Sequence, residues 1–167
     1  MKIAIIGAGA MGSIYASFLA KSNNEVLAID LWEEHINAIK NNGLRVSGFS
    51  GDNIVKNLKV SKNINDAKDY DLIVIATKAS GVGPVASKLS KIISNESLIL
   101  TIQNGLGAGE RIASFMPTDN ILLGVAQGFG ASMKGPGHAH HNNMSMIRIG
   151  EMNGGISTRL NDLVKLW

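Results

Sequence analysis

The sequence predicts a doubly wound α/β domain: a mostly parallel sheet covered by helices, followed by a β-rich later portion. Three observations predict it. Short apolar runs of strand length alternate with stretches of helical period along the chain. A strand, a glycine-rich turn and an amphipathic helix open it. Of 167 residues, 45% are hydrophobic and 17% charged, enough core for one domain and not comfortably two. Surface scaling gives a folded area of about 8,000 Å² against roughly 26,000 Å² unfolded, so no disulfide or metal is needed to hold the core.

Each element has its own justification. Lys2–Ile6 reads as a buried strand, and Ala10–Lys21 as a helix with Met11, Ile14, Tyr15, Phe18 and Leu19 at helical spacing. Glu25–Asp30 is a second strand, and Trp32–Asn41 a second helix stopped by Asn42-Gly43. Leu44–Val60 reads as a β-hairpin turning near Phe49-Ser50-Gly51-Asp52. Asp71–Thr77 is the next buried strand. Gly81 and Gly83 delay the helix after it, and Pro84 falls in its first turn, where proline is tolerated. Leu98–Gln103 is again a strand, followed by Gly105-Leu106-Gly107 and a short helix to about Met116. Ile121–Ala126, Gly137–His141 and Ser145–Ile149 read as further strands. Ile156–Trp167 is a helical pattern without a C-cap, as if stopped in mid-helix. Strands alternating with helices imply right-handed crossovers and hence a parallel sheet.

Composition excludes several classes. The chain has no cysteine, which removes disulfide scaffolds, thiolate zinc sites and cysteine nucleophiles together. The longest apolar runs are strand-sized, far below the ~20 residues that span a bilayer. The first residues lead at once into a glycine turn, unlike a signal peptide. A soluble cytoplasmic protein is therefore expected, with no membrane partner. The net charge of +3 comes from scattered basic residues, with no lysine/arginine stripe, so nucleic acid is not expected as a partner. Between Asn120 and Gly150 the formal charges are Lys134 and Arg148 alone, amid six glycines and three histidines, a composition suited to a ligand or partner. A homodimer is compatible with the sequence.

Gly7-Ala8-Gly9-Ala10-Met11-Gly12 is a G-x-G-x-x-G turn in the context the motif requires, leaving a strand and opening a helix. Gly7 permits the tight turn, Gly9 lets a pyrophosphate approach the backbone, and Gly12 lets helix and strand pack closely. The helix start at Ala10 and Met11 offers free N–H groups and partial positive charge to phosphates. Asp30, eighteen positions after Gly12, stands where a carboxylate accepts the ribose hydroxyls of NAD and repels the 2′-phosphate of NADP. Ser13 is a candidate phosphate contact or cap. Residues 1–167 are thus expected to form a dinucleotide-binding, Rossmann-like domain.

Further segments narrow the reading: Thr77-Lys78-Ala79 and Gln103-Asn104-Gly105-Leu106-Gly107 at strand ends, Gly135-Pro136-Gly137-His138, Ile149-Gly150-Glu151, and Asn42-Gly43-Leu44. With the opening glycine turn, the chain resembles the N-terminal domain of the ketopantoate reductase (2-dehydropantoate 2-reductase) family from Met1 to about Glu151. The resemblance implies a nicotinamide-dependent oxidoreductase that reduces a 2-oxo acid, 2-dehydropantoate, to a 2-hydroxy acid. It implies Lys78 beside the cofactor and the substrate carboxylate, with Thr77 next to it and Asn104 near the nicotinamide ribose and substrate. Many members prefer NADPH and carry an arginine just after the second strand. Here Asp30-Leu31 with Glu33 and Glu34 is a poor site for a 2′-phosphate, so NAD is the expected cofactor, with NADP as the alternative. The family's proton-donating lysine belongs to a C-terminal helical domain absent from this sequence, and Lys165 falls too early to replace it. No catalytic residue is assigned within the chain, which is expected to be catalytically incomplete. A mandelate-type NAD-dependent D-2-hydroxyacid dehydrogenase of the same family and a non-catalytic NAD-sensing module are the alternatives. The Thr77-Lys78-Ala79 and Asn104-Gly105 segments favour an enzyme over a sensor.

His138, His140 and His141 form H-x-H-H, and on a strand the first two share a face. Nothing in sequence completes a metal shell, so a polar strand is expected and no metal is assigned. Met144, Met146 and Met152 read as packing residues, and Trp32 as cover for the second helix near the adenine side.

Overall fold

A computed structural model of the chain describes residues 1–22 and 24–167. Its surface of 8191 Å² is close to the expected area. Strands β1 (Lys2–Ile6), β2 (Glu25–Ile29), β5 (Leu58–Ser61), β6 (Leu72–Ile75), β7 (Leu98–Thr101), β8 (Ile121–Gln127) and β11 (Met146–Glu151) form one sheet. Their order is β11-β8-β7-β6-β1-β2-β5. Every pairing is parallel except β8 with β11. The chain runs outward from β1 to β2 and β5, then returns to β6 on the other side, so the order reverses between β1 and β6. In open α/β sheets ligands collect at that reversal, beyond the carboxyl ends of the strands.

The pleat sorts the apolar runs between two cores. Ile3 and Ile5 point with Val26, Ala28, Leu72 and Val74 to one face, against α1 (Ala10–Lys21), Leu44 and Val46 of a second sheet, and α5 (Thr158–Val164). Ala4 and Ile6 point with Leu27, Ile29, Ile73 and Ile75 to the other, against α3 (Val82–Leu89) and Ile112 of α4 (Ala108–Ala113). A strand buried on both sides has no polar face, which is why these runs are continuous rather than alternating. Helix α2 (Glu33–Asn42) adds Ile39 to the first core and ends at Gly43, whose φ of 82° is the left-handed stop a side chain would resist.

The second sheet has the order β4-β3-β10-β9 and packs over α1. It contains β3 (Leu44–Gly48), β4 (Asn53–Val55), β9 (Gly130–Gly135) and β10 (His138–Asn143). The expected hairpin over Leu44–Val60 is corrected here. The antiparallel pair is β3 with β4, Leu44 opposite Val55, whereas Leu58–Val60 belongs to β5 and pairs parallel with β2. Only two residues, Lys56-Asn57, separate β4 from β5, so the alternation runs on while the chain changes sheets. Strand β9 lies where no strand was expected, its Gly130 and Gly135 weakening the pattern. Strands β2, β6 and β7 end earlier than expected, at Ile29, Ile75 and Thr101 rather than Asp30, Thr77 and Gln103. The residues beyond them, from Asp30, Ala76 and Ile102, are thereby free to line the reversal. The last helix starts at Thr158, capped by Ser157 Oγ accepting the Leu160 N–H at 3.1 Å.

Candidate functional site

The glycine turn is fastened to the end of β2: the N–H groups of Gly7 and Ala8 both donate to the Ile29 carbonyl, at 2.8 and 3.2 Å. Gly7 has φ 97°, and a Cβ there would lie 2.8 Å from the Thr77 nitrogen. A Cβ on Gly12 would lie 2.0 Å from the Gly7 carbonyl oxygen. A Cβ on Gly9 would meet nothing within 4 Å, so that stretch of backbone is open to a ligand. Gly9 also begins α1, and no side chain caps the helix. The first N–H groups of α1, from Ala10 and Met11, are thus left for something outside the helix.

A cavity of about 650 Å³ lies over this turn. It brings together Gly7, Gly9, Ala10, Met11, Asp30, Thr77, Lys78 and Asn104, which stand far apart in the chain. Gly12 lies beneath the cavity, buried in the helix–strand contact. Lys78 and Asn104 sit exposed at the rim, and neither side chain bonds to another described residue. A second cavity of about 530 Å³ shares Gly7, Asp30 and Thr77 with the first. Its apolar walls are Leu31, Ile64, Pro84 and Val85, and Lys62 and Lys88 stand at its edge. Two cavities meeting at a glycine turn make one elongated crevice with a polar waist. The Thr77 hydroxyl at that waist is buried and has no partner among the described residues. Open backbone at Gly9, an uncapped helix start and an unpartnered hydroxyl fit a phosphate-bridged dinucleotide.

Three residues to which no individual role was assigned from sequence shape the site. Gln103 Nε2 donates to the carbonyls of Ile75 at 2.7 Å and Thr77 at 3.1 Å, and its Oε1 accepts the Thr101 hydroxyl. It ties the end of β6 to β7, so Lys78 and Asn104 hang from one clamp. Lys62 pairs with Glu33 at 3.0 Å, so the acidic character expected around Asp30 is offset by a cation lining the same crevice. His35, on α2, is wholly buried behind the turn. Burial holds its pKa below the ordinary histidine value, against the opposing pull of the Asp30 charge. Asp30 Oδ1 accepts the Trp32 N–H at 2.9 Å, and the Trp32 ring stacks on His35 at 5.1 Å. The remaining expectation for this region is corrected: Ser13 is buried and donates to the Ala8 carbonyl at 2.9 Å, so it neither caps α1 nor faces the cavity.

The histidine strand lies apart from the crevice. His138 Nε2 and His140 Nδ1 share a face, as expected, and both meet Ser47 Oγ, at 2.7 and 3.0 Å. His141 points the opposite way into a nest of Phe18, Phe49 and Phe129 rings, buried, with neither ring nitrogen partnered among the described residues. Among the described residues no three His, Asp or Glu side chains converge as metal ligands, and no helix is long and apolar enough to cross a membrane. A larger cavity, about 910 Å³, opens between the end of α2 and the β5 edge. It touches none of the strand ends at the reversal.

Fold and crevice together define a Rossmann-type domain, an open sheet with a glycine turn and polar side chains gathered at its reversal. The chain belongs to the ketopantoate reductase PanE/ApbA family, whose model matches residues 3–154. It is 36% identical over 152 residues to 2-dehydropantoate 2-reductase of Streptococcus pyogenes serotype M3, covering 91% of this chain and 48% of that protein. The solved 2-dehydropantoate 2-reductase from Geobacter metallireducens GS-15 superposes with a TM-score of 0.91 at 29% identity, over 99% of this chain and 54% of that one. A ternary structure of D-mandelate dehydrogenase with NADH and anilino(oxo)acetate superposes with a TM-score of 0.87 at 32% identity, over 99% and 53%. The chain therefore spans about half the length of the relatives it matches. The family is one of oxidoreductases acting on 2-oxo acids.

Proposed function

We propose that this chain is the cofactor-holding half of a nicotinamide-dependent reductase that converts 2-dehydropantoate to pantoate. The observation that carries the reading is the two-lobed crevice, waisted at Gly7, Asp30 and Thr77, with Lys78 and Asn104 at its rim. When bound, the nicotinamide supplies the hydride for the 2-oxo carbon. The N–H groups at Gly9, Ala10 and Met11 hold the pyrophosphate, and the Asp30 carboxylate accepts the ribose hydroxyls through the oxygen that Trp32 leaves free. The Lys78 ammonium pairs with the substrate carboxylate, and the Asn104 amide orients the oxo group. The Gln103 clamp keeps those two groups at one spacing, so the substrate meets a prepared pair rather than two mobile side chains. The proton donor for the product hydroxyl is assigned, on the family resemblance, to sequence beyond the matched region.

The Asp30 carboxylate supports NAD over NADP, because a 2′-phosphate would be set against it. Lys62 and Lys88 along the second lobe favour the phosphate instead, which makes cofactor choice the sharpest test. Titrating the chain with NADH and with NADPH, followed by nicotinamide fluorescence, is expected to give tighter NADH binding. Asp30→Ala is expected to lose about tenfold of that preference. Equal binding of both cofactors before and after the substitution would overturn the role given to Asp30. A mandelate-type D-2-hydroxyacid dehydrogenase is the second reading, supported by the likeness to an NADH-bound D-mandelate dehydrogenase. Binding of 2-dehydropantoate against phenylglyoxylate to the NADH-loaded chain separates the two. A sensor predicts that neither acid binds.

A further inference from the structure

We infer that His35 is a positioning residue that aims the glycine turn at the dinucleotide phosphates; the inference rests on the dinucleotide reading above. His35 lies outside the crevice, fully buried, yet it is the middle of a chain of hydrogen bonds running from the second sheet to the turn. The Gly137 N–H, between β9 and β10, donates to His35 Nδ1 at 2.9 Å. An accepting Nδ1 carries no proton, so in the neutral ring the proton is on Nε2. Nε2 faces Ser13 Oγ at 3.3 Å, and Ser13 Oγ donates to the Ala8 carbonyl at 2.9 Å. All donors therefore point one way, and the chain ends on a carbonyl inside the G-x-G-x-x-G turn.

That carbonyl matters because a trans peptide is planar, with its C=O and the following N–H pointing in opposite directions. Drawing the Ala8 C=O inward toward Ser13 turns the Gly9 N–H outward, into the opening where a Cβ would meet nothing within 4 Å. The other face of the imidazole is covered by Trp32, ring to ring at 5.1 Å with an interplanar angle of 14°. The Trp32 N–H is in turn held by Asp30 Oδ1. One buried ring thus braces the phosphate-facing peptide on one side and the ribose-facing carboxylate on the other. Its anchor is Gly137, whose φ of 71° and close approach to Ala38 (2.9 Å from a built Cβ to the Ala38 Cβ) fix the donor in place.

The test measures NADH affinity of the chain beside its unfolding temperature. His35→Leu removes both links, His35→Asn keeps an acceptor near the Nδ1 position, and His35→Gln keeps a donor reaching toward Ser13. Affinity is expected to fall by about tenfold to a hundredfold in the Leu and Asn variants, the cost of misplacing a binding group by a fraction of an ångström to an ångström. It is expected to recover in part in the Gln variant, which restores the link to the turn. Ser13→Ala cuts the same chain without touching His35 and is expected to weaken NADH binding several-fold, which keeps the inference testable if the His35 variants fail to fold. A residue that only supports the fold would lower the unfolding temperature and leave the affinity of the folded fraction unchanged; that result in Ser13→Ala, or in a folded His35→Leu or His35→Asn variant, overturns the inference. Failure of the wild-type chain to bind either NADH or NADPH overturns the dinucleotide reading, and the role of His35 with it.

Discussion

Gly9 and Gly12 stand three residues apart in one turn, and the structure gives them opposite vulnerabilities. In Gly12→Ala the new methyl would sit 2.0 Å from the Gly7 carbonyl oxygen and 3.3 Å from Ala76 Cβ. A carbon and a carbonyl oxygen in contact need more than 3 Å, and the clashing atom is backbone, so α1 must move away from β1 by about 1 Å. Overpacking of this kind costs typically about 1–3 kcal/mol, and a clash with backbone belongs at or above the upper end. For a chain of this size each kcal/mol moves Tm by roughly 2–4 °C, so a fall of about 6–12 °C is expected. Gly9 has φ −68°, an ordinary value for any residue, and open space around it. Gly9→Ala should keep Tm within about 2 °C of wild type, a surface-like cost. Its methyl nevertheless occupies the path of the phosphates, and NADH affinity should fall at least about tenfold, or 1.4 kcal/mol. Differential scanning fluorimetry and a fluorescence titration on both variants check the pair. A Gly12→Ala protein as stable as wild type, or a Gly9→Ala protein that binds NADH undiminished, would show that the two positions do not differ in this way.

Three further outcomes follow from other parts of the molecule. His35 and His141 are both held below the ordinary histidine range by burial. The unfolded chain protonates them near pH 6.5 while the folded chain resists, so stability is full above about pH 6.5 and lost as pH falls below it; Tm at pH 8 should exceed Tm at pH 5. His141→Phe removes two ring nitrogens without partners among the described residues from a nest of phenyl rings. It should flatten part of that acid dependence and stabilise the chain by about 1 kcal/mol at pH 7, read in urea unfolding. Gln103→Leu strands the carbonyls of Ile75 and Thr77, and should cost about 1–3 kcal/mol in the same assay while weakening 2-oxo acid binding through the slackened Lys78.

The first half of the sheet was legible because its strands are buried on both faces and its helices carry an apolar stripe, signals that lie within ten or so residues. The glycine turn, Asp30, Thr77, Lys78 and Asn104 were legible for the same reason: each follows directly on a strand whose end the pattern marks. Leu58–Ser61 was not, since its pairing partner is Val26–Ile29, some thirty residues back, and nothing in the local alternation distinguishes that from a return to Leu44. The second lobe draws Leu31, Ile64 and Pro84 from three separate connections, so no window of sequence contains it. His35 reads as one more apolar-face position of α2. Its two polar partners, Ser13 and Gly137, are 22 and 102 residues away, and only the fold assembles them.

Strand β10 lies between β9 and β3, antiparallel to one and parallel to the other. Its partner β3 ends at Gly48, yet β10 itself is not finished until Asn143. During synthesis at roughly 5–20 residues per second, some 5–20 s therefore separate emergence of the two. For that interval α1 is covered by β3 and β4 alone, without β9 and β10, and β3 and β4 form a two-stranded hairpin, marginal on its own. The nascent chain thus carries a half-covered apolar helix face and an unpaired strand edge for several seconds, which is the period when a holding chaperone has most to gain and when two chains made side by side are most apt to exchange β10.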